Sequence, residues 1–201
     1  MARLTRAMVL AAALAVAGCF DEPTPAYKTV PPEARVYLKD MGLDDLKGKT
    51  AALKPEVVDY LNLDRNALTN IDEVASLKNL KWLRLNDNKL SSLPDLKELA
   101  SLRRIYLKNN KFESVPEVLK DLPALTDIDL SGNPIKDIPA WLVEKKGLEN
   151  VSLSRTRVTR LPEKLDAWKS LHSLQLGDLV IPAGEMARIR KALPSSVAIV
   201  F

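Results

Sequence analysis

One cysteine and one histidine stand in 201 residues. A single Cys cannot pair within its own chain, so a disulfide scaffold is excluded. With one His and no second Cys, the usual zinc clusters, Cys-His nucleophile pairs and CxxC redox motifs are excluded as well. Aromatics are scarce at 5%, ten residues in all, and there are only seven glycines. A strong charge of one sign is also lacking: 30 Lys and Arg face 26 Asp and Glu, a formal net charge of +4, too small an excess to argue for nucleic acid. What abounds is leucine, 34 of 201 residues. The mean hydropathy is nevertheless only −0.10, so the apolar residues must be patterned and not pooled into membrane spans. The length allows one domain with an appendage.

Arg3 and Arg6 precede an uncharged run from Ala7 to Phe20. As a helix rising about 1.5 Å per residue, that run is too short for a hydrocarbon core of roughly 30 Å, and it reads as an export signal. It ends in Val16-Ala17-Gly18-Cys19, which resembles the lipobox of bacterial lipoproteins. The resemblance implies removal of residues 1–18 and a diacylglycerol thioether on Cys19; a signal peptide with a chance Cys is the plainer alternative. Loss of Arg3 and Arg6 would leave 28 cations against 26 anions. The next segment, 19–31, is a tether: Phe20 to Pro32 holds four prolines, and a polyproline-like stretch would reach up to roughly 40 Å from a bilayer. In enterobacterial lipoproteins an Asp directly after the Cys often marks the inner membrane. Phe20 stands there in this chain, which favours the outer membrane if the host has one, and in either case a lipid-anchored protein of the cell envelope.

Most of the remaining chain repeats. Val58, Leu61, Leu63, Asn66 and Leu68 set a template that returns as Leu80, Leu83, Leu85, Asn88, Leu90, then as Leu102, Ile105, Leu107, Asn110, Phe112, and as Leu125, Ile128, Leu130, Asn133, Ile135. Degenerate copies follow around Val151 and Leu153, with Thr156 in the Asn place, and around Leu174 and Leu176, with Leu179 there. Apolar residues two apart share one face of an extended segment, so each unit holds a short strand. An Asn after the strand can satisfy inward-facing backbone groups at the turn. The pattern resembles the leucine-rich repeat family over 58–180, about six repeats. That resemblance implies an α/β solenoid, a short horseshoe with a parallel β-sheet on its concave face and short helical or 3₁₀ turns on its convex face.

The return halves suggest which turn forms where. Ile71, Val74, Leu77 and Leu93, Leu96, Leu99 are spaced by three, which suits 3₁₀ geometry. Val115, Leu119, Leu122 and Leu161, Leu165, Trp168 are spaced by four then three, which suits an α-helical turn. In the fourth unit Ile138 and Leu142 are followed by Lys145 where an apolar residue is expected. Pro94, Pro116, Pro139 and Pro162 can each start a turn without losing a needed N–H; their arrangement resembles the intracellular Ras-related class of these repeats, although this chain reads as exported. Residues 32–57 are expected to form an N-terminal helical cap. Residues 181–201 form the C-terminal cap, helical over 183–193 with a final strand at Val197 and Ile199.

Outward residues of stacked strands form columns about 4.8 Å apart. The first runs Tyr60, Trp82, Arg104, Asp127, Asn150, Ser173, the second Asn62, Arg84, Tyr106, Asp129, Ser152, Gln175, and the third Asp64, Asn86, Lys108, Ser131, Ser154, Gly177. The first four units thus collect Tyr60, Trp82, Arg84, Arg104, Tyr106, Lys108, Asp127 and Asp129, the residue types that carry binding energy at protein interfaces. This predicts a non-enzymatic, protein-binding module in the envelope, needing no cofactor or metal and making no contact with nucleic acid. The same side chains could instead merely pair among themselves, Arg104 with Asp127 above all. Aromatic stacking from Tyr60, Trp82 and Tyr106, helped by Arg155, Arg157 and Arg160, keeps open an alternative, a surface binder of polysaccharide or lipopolysaccharide. Asp127 and Asp129 lie about 6.6 Å apart along a strand, within reach of glycosidase geometry, but a shallow, solvated face offers little to separate their pKa values. His172, at a strand edge, has no Ser or Cys placed beside it and reads as a surface residue.

Overall fold

The computed structural model describes residues 34–49 and 53–201. The expected signal peptide at 1–18, the lipidation site Cys19 and the 19–31 tether lie outside the described residues. Eight three-residue strands form one parallel sheet in strict chain order: β1 (Arg35–Tyr37), β2 (Tyr60–Asn62), β3 (Trp82–Arg84), β4 (Arg104–Tyr106), β5 (Asp127–Asp129), β6 (Asn150–Ser152), β7 (Ser173–Gln175) and β8 (Ala198–Val200). The middle residue of β2 through β7, from Leu61 to Leu174, points inward and is almost fully buried. With the aliphatic residue two places on, it builds one continuous core along the coil. The architecture is the α/β repeat solenoid that the resemblance to leucine-rich repeats implies.

Each strand is short because the chain turns four residues after its inward middle residue. At that place Asp40, Arg65, Asp87, Asn109, Gly132, Arg155 and Asp178 all have φ between 54° and 68°. From Asp40 to Arg155 the left-handed backbone aims the N–H at the next rung: Arg65 donates to the Asn86 carbonyl at 2.8 Å, Asp87 to Lys108 at 2.8 Å and Gly132 to Ser154 at 2.8 Å. Only Gly132 adopts that conformation without a Cβ penalty.

The asparagine ladder follows at once. Asn110 Oδ1 accepts the Leu90 N–H of the preceding turn at 3.0 Å, and its amide nitrogen donates to the carbonyls of Leu85 and Leu107, each at 2.9 Å. Asn88 and Asn133 repeat the arrangement one rung to either side. Backbone groups that would be buried and unpaired are thereby satisfied. Thr156 retains one bond, from its hydroxyl to the Leu153 carbonyl at 2.7 Å, and Leu179 retains only partial burial against the core.

The N-terminal cap differs from expectation. Residues 32–57 were expected to be helical, but β1 pairs with β2 in register, Arg35 with Tyr60 and Tyr37 with Asn62. Val36 and Leu38 are buried, and Asp40 holds the left-handed place, so residues 35–40 are a further rung. The turns also differ. Asp72–Ser76 is 3₁₀ as its spacing suggests, but Glu117–Asp121 and Leu165–Ala167 are 3₁₀ too, and no helical turn follows Leu93. The α-helical turn is α1 (Ala140–Glu144), opened by Pro139, in the fourth unit. There Leu142 and Val143 are both buried, and Lys145 takes the expected apolar place by donating to the carbonyls of Lys120 at 3.0 Å and Leu122 at 2.7 Å. Burial holds its amine below the ordinary lysine range.

At the far end α2 (Ala183–Ala192) covers the last turn, and β8 completes the sheet. Arg188 donates to the carbonyls of Leu161, Pro162 and Glu163, while Glu185 accepts the Leu161 N–H at 2.9 Å and pairs with Arg188 at 2.7 Å. These bonds staple the helix to the preceding unit.

Candidate protein-binding surface

The strand register fixes the outward columns. Arg35, Tyr60, Trp82, Arg104, Asp127 and Asn150 are successive neighbours in one; Tyr37, Asn62, Arg84, Tyr106, Asp129 and Ser152 are neighbours in the next. Aromatic rings cross between these columns in a continuous run. Tyr37 meets Tyr60 at 5.2 Å between ring centres, Tyr60 meets Trp82 edge-on at 5.1 Å and 85°, and Trp82 meets Tyr106 at 5.9 Å and 74°. Edge-to-face contacts of this kind bring the positive rim of one ring to the negative face of another.

Two guanidinium groups lie over these rings. Arg104 sits 5.0 Å from the centre of Trp82, and Arg84 sits 5.8 Å from that of Tyr106. Their carboxylate partners differ. Arg84 is tied to Asp64 by Nε at 2.8 Å and Nη2 at 2.7 Å, whereas Arg104 reaches Asp127 only at 3.7 Å and keeps 42% of its side chain exposed. Tyr106 is half-buried, and that burial, with Asp127 close by, raises its phenol above the ordinary tyrosine value.

The expected surface residues therefore divide. Trp82, Arg84, Arg104, Tyr106, Lys108, Asp127 and Asp129 are all partly exposed on this face. Tyr60 is a correction: it lies in the right column but is only 6% exposed, closed in by Tyr37 and Trp82, so it braces the surface without presenting much of it. The third column is corrected more fully. Asp64 and Asn86 are buried and serve the backbone: Asp64 Oδ1 accepts the Asn86 N–H at 2.8 Å, and Asn86 Oδ1 accepts the Lys108 N–H at 3.0 Å. Burial raises the Asp64 carboxyl above its ordinary range although Arg84 pulls it down.

Two residues on this face lie outside the sequence expectation, Arg35 and Tyr37, the latter 41% exposed. The signal was present, since Val36 and Leu38 alternate as Leu83 and Leu85 do. Along the leading edge of the strands a cleft of about 190 Å³ runs from Arg35 past Asp59, Lys81, Trp82 and Arg103 to Glu149.

Asp127 and Asp129 are both committed to neighbours. Asp127 accepts from the Thr126 hydroxyl at 2.5 Å and from the Asn150 amide at 2.9 Å. Asp129 accepts the Ser131 N–H at 2.9 Å and the Ser131 hydroxyl. Both are braced by these donors on an open sheet. His172 is exposed and lies 3.9 Å from Glu149. From β6 onward the outward residues are Asn150, Ser152, Ser173, Gln175, Ala198 and Val200, with no charge and no ring. Arg155 and Arg157 are exposed beyond the strands, and Arg160 pairs with Glu163.

Comparison with known proteins agrees with this architecture. A family profile described as leucine rich repeat matches residues 56–112 and again 78–135. A solved leucine-rich repeat protein of Leptospira interrogans is 30% identical, with a TM-score of 0.61 over 73% of this chain and 43% of that one. An internalin of Listeria monocytogenes, 23% identical, superposes with a TM-score of 0.59 over 71% of this chain and 40% of its own, a likeness of fold alone. The chain thus spans less than half the length of either structure. No curated protein matches it in sequence.

Proposed function

We propose, from the premise that this chain is a leucine-rich-repeat protein, that it is a non-enzymatic recognition module that docks another protein on the outward face of β1 to β5. The observation that carries the reading is the asymmetry of that face. An aromatic run from Tyr37 to Tyr106 with Arg84 and Arg104 laid over it fills one half, and small neutral side chains fill the other. Tyr and Trp contribute large contact area with few rotatable bonds to freeze, and Arg adds a planar fork of donors, which is why the three dominate interface energies.

The second part of the proposal is the anchor. Cys19, as the first residue of the mature protein, carries the lipid that holds the module to a membrane of the bacterial envelope, the outer membrane where the host has one. What supports this is the small-residue run Val16-Ala17-Gly18 before the Cys and Phe20 after it.

Photo-crosslinking tests the docking face: a benzoylphenylalanine at position 106, which keeps a ring there, should capture a protein in intact cells, and the same group at Ser173 should not. Equal capture at both positions, or none at 106, would remove the proposal. For the anchor, Cys19→Ala should move the protein from the detergent-rich to the aqueous phase on Triton X-114 partition; unchanged partition would exclude lipid on Cys19.

A further inference from the structure

We infer that the segment docking on this face is acidic and extended. The inference rests on the reading of the face as a docking surface and adds the chemistry of its occupant. On the rungs of β1 to β4 the outward columns hold five cations, Arg35, Lys39, Arg84, Arg104 and Lys108, against one acid, Asp64. That acid is buried and already bound to Arg84. Carboxylates first appear on the open face at β5, as Asp127 and Asp129, and β6 to β8 add no charge. The field over the aromatic half is therefore positive, with a negative boundary at β5.

Among the described residues two of those cations, Arg35 and Lys108, make no ion pair, and Arg104 has only its long contact to Asp127; Arg103, at the strand edge beside them, makes no ion pair either. The edge-to-face packing decides which ligand chemistry fits. Stacking of a sugar needs an open ring face, but the face of Trp82 lies under Arg104 and its flanks meet Tyr60 and Tyr106. What the surface offers outward is a guanidinium steadied on a ring, a planar fork of donors that matches a carboxylate in two parallel hydrogen bonds. From β1 to β5 is four strand spacings, about 19 Å, the length of roughly six extended residues. A short acidic peptide segment of a protein partner fits that length, and Asp127 and Asp129 would turn it away from the rungs beyond.

The test is fluorescence anisotropy at low salt with the full chain and labelled hexaglutamate, hexalysine and an oligogalacturonate of similar length. Hexaglutamate should bind, weaken as salt is raised, and lose about tenfold or more in affinity on Arg104→Glu. Arg103→Glu, at an exposed edge position, should weaken it in the same direction, and Asp129→Asn should strengthen it. Hexalysine binding as tightly, an unaltered affinity in a folded Arg104→Glu variant, or no hexaglutamate binding at all would overturn the inference. Tighter binding of the oligogalacturonate would overturn it in favour of an anionic glycan. A protein crosslinked at position 106 through a neutral or basic segment would leave the docking surface standing and remove only its acidic occupant.

Discussion

The guanidinium of Arg104 lies 5.0 Å from the centre of the Trp82 ring and 3.7 Å from the Asp127 carboxylate. The ring holds the cation over the face of the sheet, and the carboxylate is too far away to neutralise it fully. Trp82→Ala removes the platform, lets Arg104 fall toward Asp127, and should cost about 2 kcal/mol of partner affinity, roughly thirtyfold in Kd. Trp82→Phe keeps a ring and should retain most of it. Titration calorimetry against the crosslinked partner checks both, and equal losses for Ala and Phe would refute the platform role.

Asn110 holds two turns together through one N–H and two inner carbonyls. Asn110→Ala leaves the Leu90 N–H buried and unpaired, while the Leu85 and Leu107 carbonyls keep their bonds from the Asn88 and Asn133 amides, and it should lower stability by about 2 kcal/mol, read as a fall in the urea midpoint. The converse substitution, Thr156→Asn, supplies the missing amide in a unit that keeps only one such bond and should raise stability by about 1 kcal/mol.

Lys145 closes the fourth turn with its amino group on the carbonyls of Lys120 and Leu122. Lys145→Ala should cost about 1–2 kcal/mol, whereas Lys146→Ala, an exposed neighbour, should be within about 0.5 kcal/mol of the parent. Equal effects would mean that Lys145 is an ordinary surface lysine.

Glu185 links stability to pH. The Arg188 hydrogen bond, foremost, holds its carboxyl below the ordinary value of 4.5. The folded state therefore gives up this proton more readily than the unfolded chain, so the stabilisation is present above the unfolded value and is lost as pH falls through the folded one. The stability difference between the parent and Glu185→Gln should be largest above about pH 5 and shrink below about pH 4. A difference constant across that range, by urea denaturation, would show that the ion pair contributes nothing.

Much of this was legible in the residues. Apolar residues two apart located β2 to β7, the Asn recurring in the first four units located their turns, and counting from both gave the outward columns in their true register. β1 was hidden because Met41 stands in the Asn place and 25 residues, not 22, separate Val36 from Leu61. The turn types are not legible, because apolar spacing does not distinguish a 3₁₀ from an α-helical turn when both bury the same face: Leu119 is buried in a 3₁₀ turn, and Val143 shifts burial by one residue to allow α1. Column position could not tell that Asp64 and Asn86 turn their side chains back to the backbone of the next rung, nor that Tyr60 is covered, because its covering neighbour Tyr37 belongs to the rung that the pattern concealed.

The central claim is that partner recognition is confined to the aromatic, cationic half of the sheet. It is tested most directly by measuring the affinity of the protein captured at position 106 for two charge variants that keep the parent's thermal midpoint. Arg104→Glu should weaken binding by about tenfold or more, and Ser173→Glu, on the same face three strands away, should change it by less than about twofold. The reverse order, or equal losses from both, would contradict the account.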